Sequence, residues 1–174
     1  TLALDRDSGQ IEWKAMAHYD KLEEIHRIGS HAQASVAADD EVVVSFFGSC
    51  GLFCYDCRSR FLWHRPMGPF NNNFCAAAWN TDRSEFPRNY CTPVIVEVDG
   101  KKQIVVAATL RVVGYDLQTG KEVWTVRGIA RAACSSPAID EHGNLYFATY
   151  AGGGDPGSRI RVDPFDQVDG KYDS

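Results

Sequence analysis

With 174 residues and 44% apolar composition, the chain has the size and make-up of a domain with a substantial core. Its formal net charge of -5, with basic residues scattered among acids, gives no footing for nucleic-acid recognition, which needs clustered Lys and Arg. No run of about 18 apolar residues occurs, so no helical membrane span is expected.

The chain opens on TLALD, without an initiator Met or a charged and then apolar leader, so a signal peptide is expected to be already removed or to lie upstream. Residues 3–13, ALDRDSGQIEW, read as a hairpin: two short apolar strands around a polar turn. Asp5 can accept hydrogen bonds from N–H groups in the turn, Gly9 suits a position with φ > 0, and Trp13 ends the outgoing strand. The segment 15–31 is irregular. Within it YDKLEEIHRI (19–28) spaces Leu22, Ile25 and Ile28 at three-residue steps, which reads as a short helix or a loop decorating one rim.

SVAADDEVVVSFFG (35–48) follows as a second kind of hairpin, a Ser then an apolar strand, an acidic turn and another apolar strand. The stretch CGLFCYDC (50–57) then gathers three of the six cysteines at C-x3-C-x2-C spacing, the spacing that holds an iron–sulfur cluster in radical-SAM enzymes. A strand is the better reading. CYDCRSRFLW (54–63) repeats the pattern of residues 3–13, with Asp56 and Trp63 in the places of Asp5 and Trp13 and no glycine in the turn. Alternate side chains on a strand point to opposite faces, so Cys54 and Cys57 diverge, and Cys54 fills a slot held by Ala3 in the first copy. A disulfide from Cys50 or Cys57 stays open, as does pairing among Cys75, Cys91 and Cys134.

Residues 65–90 form a second irregular stretch, with Asn71, Asn72 and Asn73 after Gly-Pro reading as a solvated loop. Trp79 stands 16 residues after Trp63, whereas Trp13 to Trp63 spans 50 and Trp79 to Trp124 spans 45. Either a blade's middle strands are missing near residues 74–79 or the stretch is a long rim insertion. TPVIVEVDGKKQIVVAA (92–108) and SPAIDEHGNLYFAT (136–149) repeat the pattern of 35–48, and GYDLQTGKEVW (114–124) repeats that of 3–13, with Asp116, Gly120 and Trp124 in register. GGGDPG (152–157) lacks the Lys-Ser/Thr of a phosphate cradle, and DPFDQVDGKYD (163–173) lacks the register of a calcium loop, so both read as loop or tail. His18, His26, His31, His64 and His142 show no metal-ligand spacing.

Placed in order, the unit is four short strands joined by turns and recurring every 45 to 60 residues, the mark of a β-propeller blade. The expected fold is therefore all-β, a propeller of four-stranded antiparallel blades with only part of the ring in this chain. The expected division puts the end of one blade at 1–14 and a blade at 32–64. A rim insertion or truncated blade follows at 65–90, a blade at 91–127, the start of another at 134–151, and a loop or tail at 152–174.

GYDLQTGKEVW resembles the tryptophan-docking motif of quinoprotein alcohol dehydrogenase propellers, A-x-D-x-x-T-G-K-E-x-W, and departs from it only in Gly114 for Ala. ALDRDSGQIEW keeps Ala3, Asp5, Gly9 and Trp13 with Ser8 for Thr, and the copy at 54–63 keeps Asp56 and Trp63. Together with TPVIVEVDGKKQIVVA, the pattern is similar to the PQQ-like (pyrroloquinoline-quinone-like) β-propeller repeat proteins. These are relatives of quinoprotein dehydrogenases and of the outer-membrane assembly lipoprotein, and are common among secreted planctomycete proteins. The resemblance, over residues 1 to about 150, implies a non-catalytic binding or scaffolding module, periplasmic or secreted, whose partner is another protein or the remaining blades of a longer chain. The alternative it implies is a fragment of a PQQ-dependent dehydrogenase. That chemistry uses an aspartate base, calcium and a vicinal Cys-Cys disulfide, and the sequence contains no Cys-Cys pair. No catalytic, cofactor or metal residue is therefore expected here. The rim residues Tyr19, His26, Arg27, Phe70 and Asn72 are the candidates for partner contact.

Overall fold

The structure, a computed structural model, describes residues 1–20, 22, 30–67, 91–108, 111–127, 132–133, 136–147, 149–150 and 158–161. The stretch 19–28 is mostly outside these residues, and 74–79 wholly so, as are Cys75, Cys134, His26, Arg27, Phe70 and Asn72.

Two four-stranded antiparallel sheets form the middle of the fold, each with its strands side by side in chain order. The hairpin β1 (Leu2–Leu4) and β2 (Ile11–Lys14) counts as the first sheet, and the second is built from β3 (Ala37–Ala38), β4 (Val42–Phe46), β5 (Leu52–Asp56) and β6 (Phe61–Arg65). The next comprises β7 (Val94–Val98), β8 (Lys101–Ala108), β9 (Arg111–Asp116) and β10 (Glu122–Arg127). Beyond it β11 (Ala132–Ala133) pairs with β14 (Thr149–Tyr150), and β12 (Ala138–Ile139), β13 (Asn144–Phe147) and β15 (Ser158–Arg161) form a three-stranded sheet. The chain is all-β, in blades of a β-propeller.

Ser158–Arg161 corrects the reading of 152–174 as loop or tail, because it pairs with β13 from Asn144↔Arg161 to Phe147↔Ser158. A four-residue segment with two arginines has no apolar alternation to betray it. Only the free edge of β13 makes it a strand.

The turns explain why these residues form hairpins. Asp5 Oδ1 accepts from the Ser8 N–H at 2.7 Å, and Asp116 Oδ1 from the Thr119 N–H at 2.8 Å and its hydroxyl at 2.6 Å. Gly9 and Gly120 both adopt φ 67° and donate to the carbonyls of Asp5 and Asp116. In the copy without glycine, Ser59 takes the same left-handed conformation at φ 69°, and Asp56 is anchored instead by the N–H groups of Arg58 and Arg60 at 2.9 and 2.8 Å.

β5 is buried on both sides, which is why it reads as a continuous apolar run. Leu52 and Cys54 enter a core shared with the next sheet, alongside Val44, Trp63, Ile104, Val105, Val113 and Tyr115. Phe53 and Tyr55 face the other way and pack with Cys50, Phe47, Ala15 and Ala17. Burying each such side chain contributes about 1.5–3 kcal/mol.

Candidate functional site

Two features meet around the second sheet: the seams that join neighbouring sheets, and a cleft beside β5 and β6.

Each seam starts from a bulge. In all three Asp-to-Trp hairpins the strand register slips one residue before the tryptophan, so that Trp13 faces Ala3, Trp63 faces Cys54 and Trp124 faces Gly114. The skipped residues Glu12, Leu62 and Val123 are exposed, and the bulge re-aims the indole that follows. Trp13 Nε1 then donates to the Cys57 carbonyl at 3.0 Å, and Trp63 Nε1 to the Leu117 carbonyl at 3.0 Å, each on the following sheet and each one residue past the turn aspartate. The Trp63 ring lies against Gly120, where a Cβ would fall 2.7 Å from Cε3. The structure thus brings Trp13 to the turn of Asp56, and Trp63 to the turn of Asp116 and Gly120. Asp5 and Gly9 stay in their own turn. Trp124 instead donates to Gln103 Oε1 at 2.7 Å within its own sheet.

Polar contacts reinforce the seam between the second and third sheets. Lys102 Nζ donates to Asp39 Oδ2 at 2.6 Å, Ser35 N–H to Thr92 Oγ1 at 3.1 Å, and the Arg65 guanidinium lies 5.8 Å from the Tyr115 ring centre. Partial burial would push the Asp39 carboxyl up. The ammonium of Lys102 and the N–H groups of Glu41 and Val42 outweigh it and hold the carboxyl below its ordinary value. Arg65, Lys102 and Gln103 were not singled out from the sequence. Gln103 matches Val42 of the second sheet only through strand pairing, each facing the turn aspartate of the next strand.

The cleft measures about 410 Å³ and is lined by Met16, His18, Phe53, Tyr55, Phe61 and His64, with Ala15 and Ser59 completing it. The His64 ring stacks on Phe53 with centres 4.1 Å apart and planes 17° apart, and its Nε2 donates to the Cys50 carbonyl at 2.6 Å. Tyr19 meets His64 edge-on at 6.5 Å. The Tyr55 hydroxyl is buried without a hydrogen-bond partner, and desolvation holds its pKa above the ordinary value.

The three clustered cysteines do not converge. Cys50 ends a 3-10 turn (Gly48–Cys50), Cys54 is buried opposite Trp63, and Cys57 is exposed, its thiol 3.4 Å from the Asp40 carbonyl. Burial pushes the Cys54 thiol up to about 12, with the nearby Asp39 charge adding to the effect. Among the described residues, no group of three or more His, Cys, Asp or Glu is placed to hold a metal ion, and no helix is long and apolar enough to cross a membrane.

These sheets and seams define the class: a β-propeller, of which this chain supplies part of a ring. Among solved structures the chain is similar to BamB from Moraxella catarrhalis, with a TM-score of 0.55 and 18% identity over 86% of this chain and 40% of that one. The chain thus spans about 40% of the length of that structure, and at 18% identity the likeness concerns the fold. No family model and no curated protein matches the sequence.

Proposed function

We propose that the chain is a non-catalytic PQQ-like β-propeller repeat module that binds or scaffolds a protein partner outside the cytoplasm. In this reading the three Asp-to-Trp hairpins are tryptophan-docking motifs, and the blades at 32–64 and 91–127 are consecutive. One observation carries it: two successive indoles reach the same carbonyl position of the following sheet. Trp13 and Trp63 are thereby engaged with the following sheet, at the carbonyls of Cys57 and Leu117. The mostly aromatic cleft suits an aromatic or aliphatic side chain of a partner, with Phe61, 54% exposed, on its wall. A place outside the cytoplasm rests on the sequence resemblance.

The docking role is tested with Trp63. Trp63→Phe keeps a ring but leaves the Leu117 carbonyl unpaired, and is expected to cost about 1–2 kcal/mol. Trp63→Ala is expected to cost about 3–5 kcal/mol in urea unfolding. Costs below about 0.5 kcal/mol, roughly a twofold change in the folding equilibrium, would be fatal to the docking reading.

The non-catalytic role is tested by adding PQQ and calcium to the purified chain and following absorbance and dye reduction. No binding and no turnover are expected. Stoichiometric binding with dye reduction would turn the reading to a quinoprotein dehydrogenase. The cleft is tested on an array of short peptides rich in aromatic and aliphatic residues. Binding that Phe61→Ser abolishes supports it, and binding that Phe61→Ser leaves intact overturns it.

A further inference from the structure

The third hairpin matches the repeat pattern best, yet its tryptophan is the one that turns inward. Trp13 and Trp63 send their single N–H to a carbonyl of the following sheet. An indole has one donor, and that of Trp124 goes to the Gln103 side chain 2.7 Å away. Trp124 therefore cannot make the same link to whatever lies beyond the third sheet.

Two departures from the repeat permit this, and both touch the same ring. The residue facing the tryptophan is Ala3 in the first hairpin and Cys54 in the second, but Gly114 in the third. A Cβ on Gly114 would lie 2.3 Å from Trp124 Cε2 and 2.4 Å from Nε1, so the ring occupies the volume that Ala3 and Cys54 fill with their own side chains. The residue paired with the turn aspartate is Val42 in the second sheet and Gln103 in the third. Gln103 is buried, 7% exposed, and Trp124 supplies a donor to its amide oxygen. A polar side chain buried in a sheet is costly unless paired, so the acceptor and the parked ring sustain each other.

We infer that Gln103 and Gly114 form a clasp that draws the Trp124 indole back into its own sheet, so that this indole, unlike those of Trp13 and Trp63, gives no link to a following sheet. The clasp rests on the reading of these tryptophans as inter-blade links, but its test concerns residues inside one sheet, so it fails or stands apart from the Trp63 series.

The test uses the 174-residue chain labelled with ¹⁵N, in which four tryptophans give four indole resonances and the one lost in Trp124→Phe is assigned. Gln103→Val, the residue of the second sheet, is expected to speed solvent exchange of the Trp124 indole N–H about tenfold, as loss of one buried hydrogen bond requires. Gln103→Val with Gly114→Ala is expected to remove the contact between the Trp124 ring and the residue-114 Hα, and to slow trypsin cleavage at Arg127 several-fold as the ring returns to the boundary beyond the third sheet. Unchanged indole exchange in Gln103→Val overturns the clasp, as does cleavage of a folded double variant at the wild-type rate. Should Gln103→Val fail to fold, Gln103 is a folding residue and the clasp is likewise overturned. Should only the double variant fail to fold, indole exchange in Gln103→Val decides.

Discussion

Gly9 and Gly120 have the same backbone conformation, φ 67°, in matching turns of two hairpins, and differ in what lies beside them. A Cβ at Gly9 would meet nothing within 4 Å, whereas at Gly120 it would fall 2.7 Å from Cε3 and 2.9 Å from Cδ2 of Trp63. Alanine at either position therefore incurs the same left-handed backbone penalty, about 1–2 kcal/mol. At Gly120 it must also displace a tryptophan that is only 9% exposed and hydrogen-bonded to Leu117. Overpacking of this kind adds about 1–3 kcal/mol. Gly120→Ala should thus cost about 2–5 kcal/mol and Gly9→Ala about 1–2 kcal/mol, the difference being the cost of overpacking against the Trp63 ring. Ser59→Gly supplies the opposite sign, relieving a strained residue at φ 69° for a gain of about 0.5 kcal/mol after the extra freedom of the unfolded glycine. Urea unfolding followed by tryptophan fluorescence measures all three. If Gly120→Ala costs no more than Gly9→Ala, the Trp63 ring does not seat on Gly120 and the account of the seam is wrong.

Site-resolved alkylation at pH 8 should label Cys57 in the native chain, while Cys54, buried and with its thiol pushed up to about 12, reacts only as fast as its sheet opens; equal labelling would refute the burial. Asp39→Ala should destabilise more than Lys102→Met, because Asp39 also accepts from Glu41 and Val42 N–H at 2.8 and 2.9 Å. Only the Lys102 effect should vanish at 1 M NaCl, and the reverse order would refute this assignment. Asp140 binds the Asn144 side chain and N–H, the Tyr146 hydroxyl and the His142 N–H, and these bonds hold its carboxyl down at about 2 against an ordinary 3.8. Its contribution is accordingly full above pH 3.8 and lost as pH falls through about 2, so Asp140→Asn should flatten the acid limb of the stability curve. An NMR titration giving the Asp140 carboxyl its ordinary value would contradict the geometry.

The all-β fold was legible because its signals are local. A turn aspartate, a residue at positive φ and a terminal tryptophan lie within about ten residues of one another, and hydrophobic alternation marks the strands between. The same locality made CGLFCYDC readable as a strand, since its match to residues 3–6 and 114–117 assigns Cys54 a small-residue slot. In the structure that slot faces Trp63, and the next sheet covers it.

What the sequence could not settle was decided by partners distant along the chain. SRIR at 158–161 is a strand because β13 offers it an edge. The three bulges depend on cross-strand register, which composition does not encode. The destinations of the three indoles depend on what stands opposite each ring: a neighbouring sheet's carbonyl for Trp13 and Trp63, a glycine and a buried glutamine for Trp124. By itself the sequence determined the repeat and the turns, because short-range sterics and hydrogen bonds suffice for them. Only the tertiary structure decided which tryptophans join sheets and which one folds back, because that choice is made by packing between residues far apart in the chain.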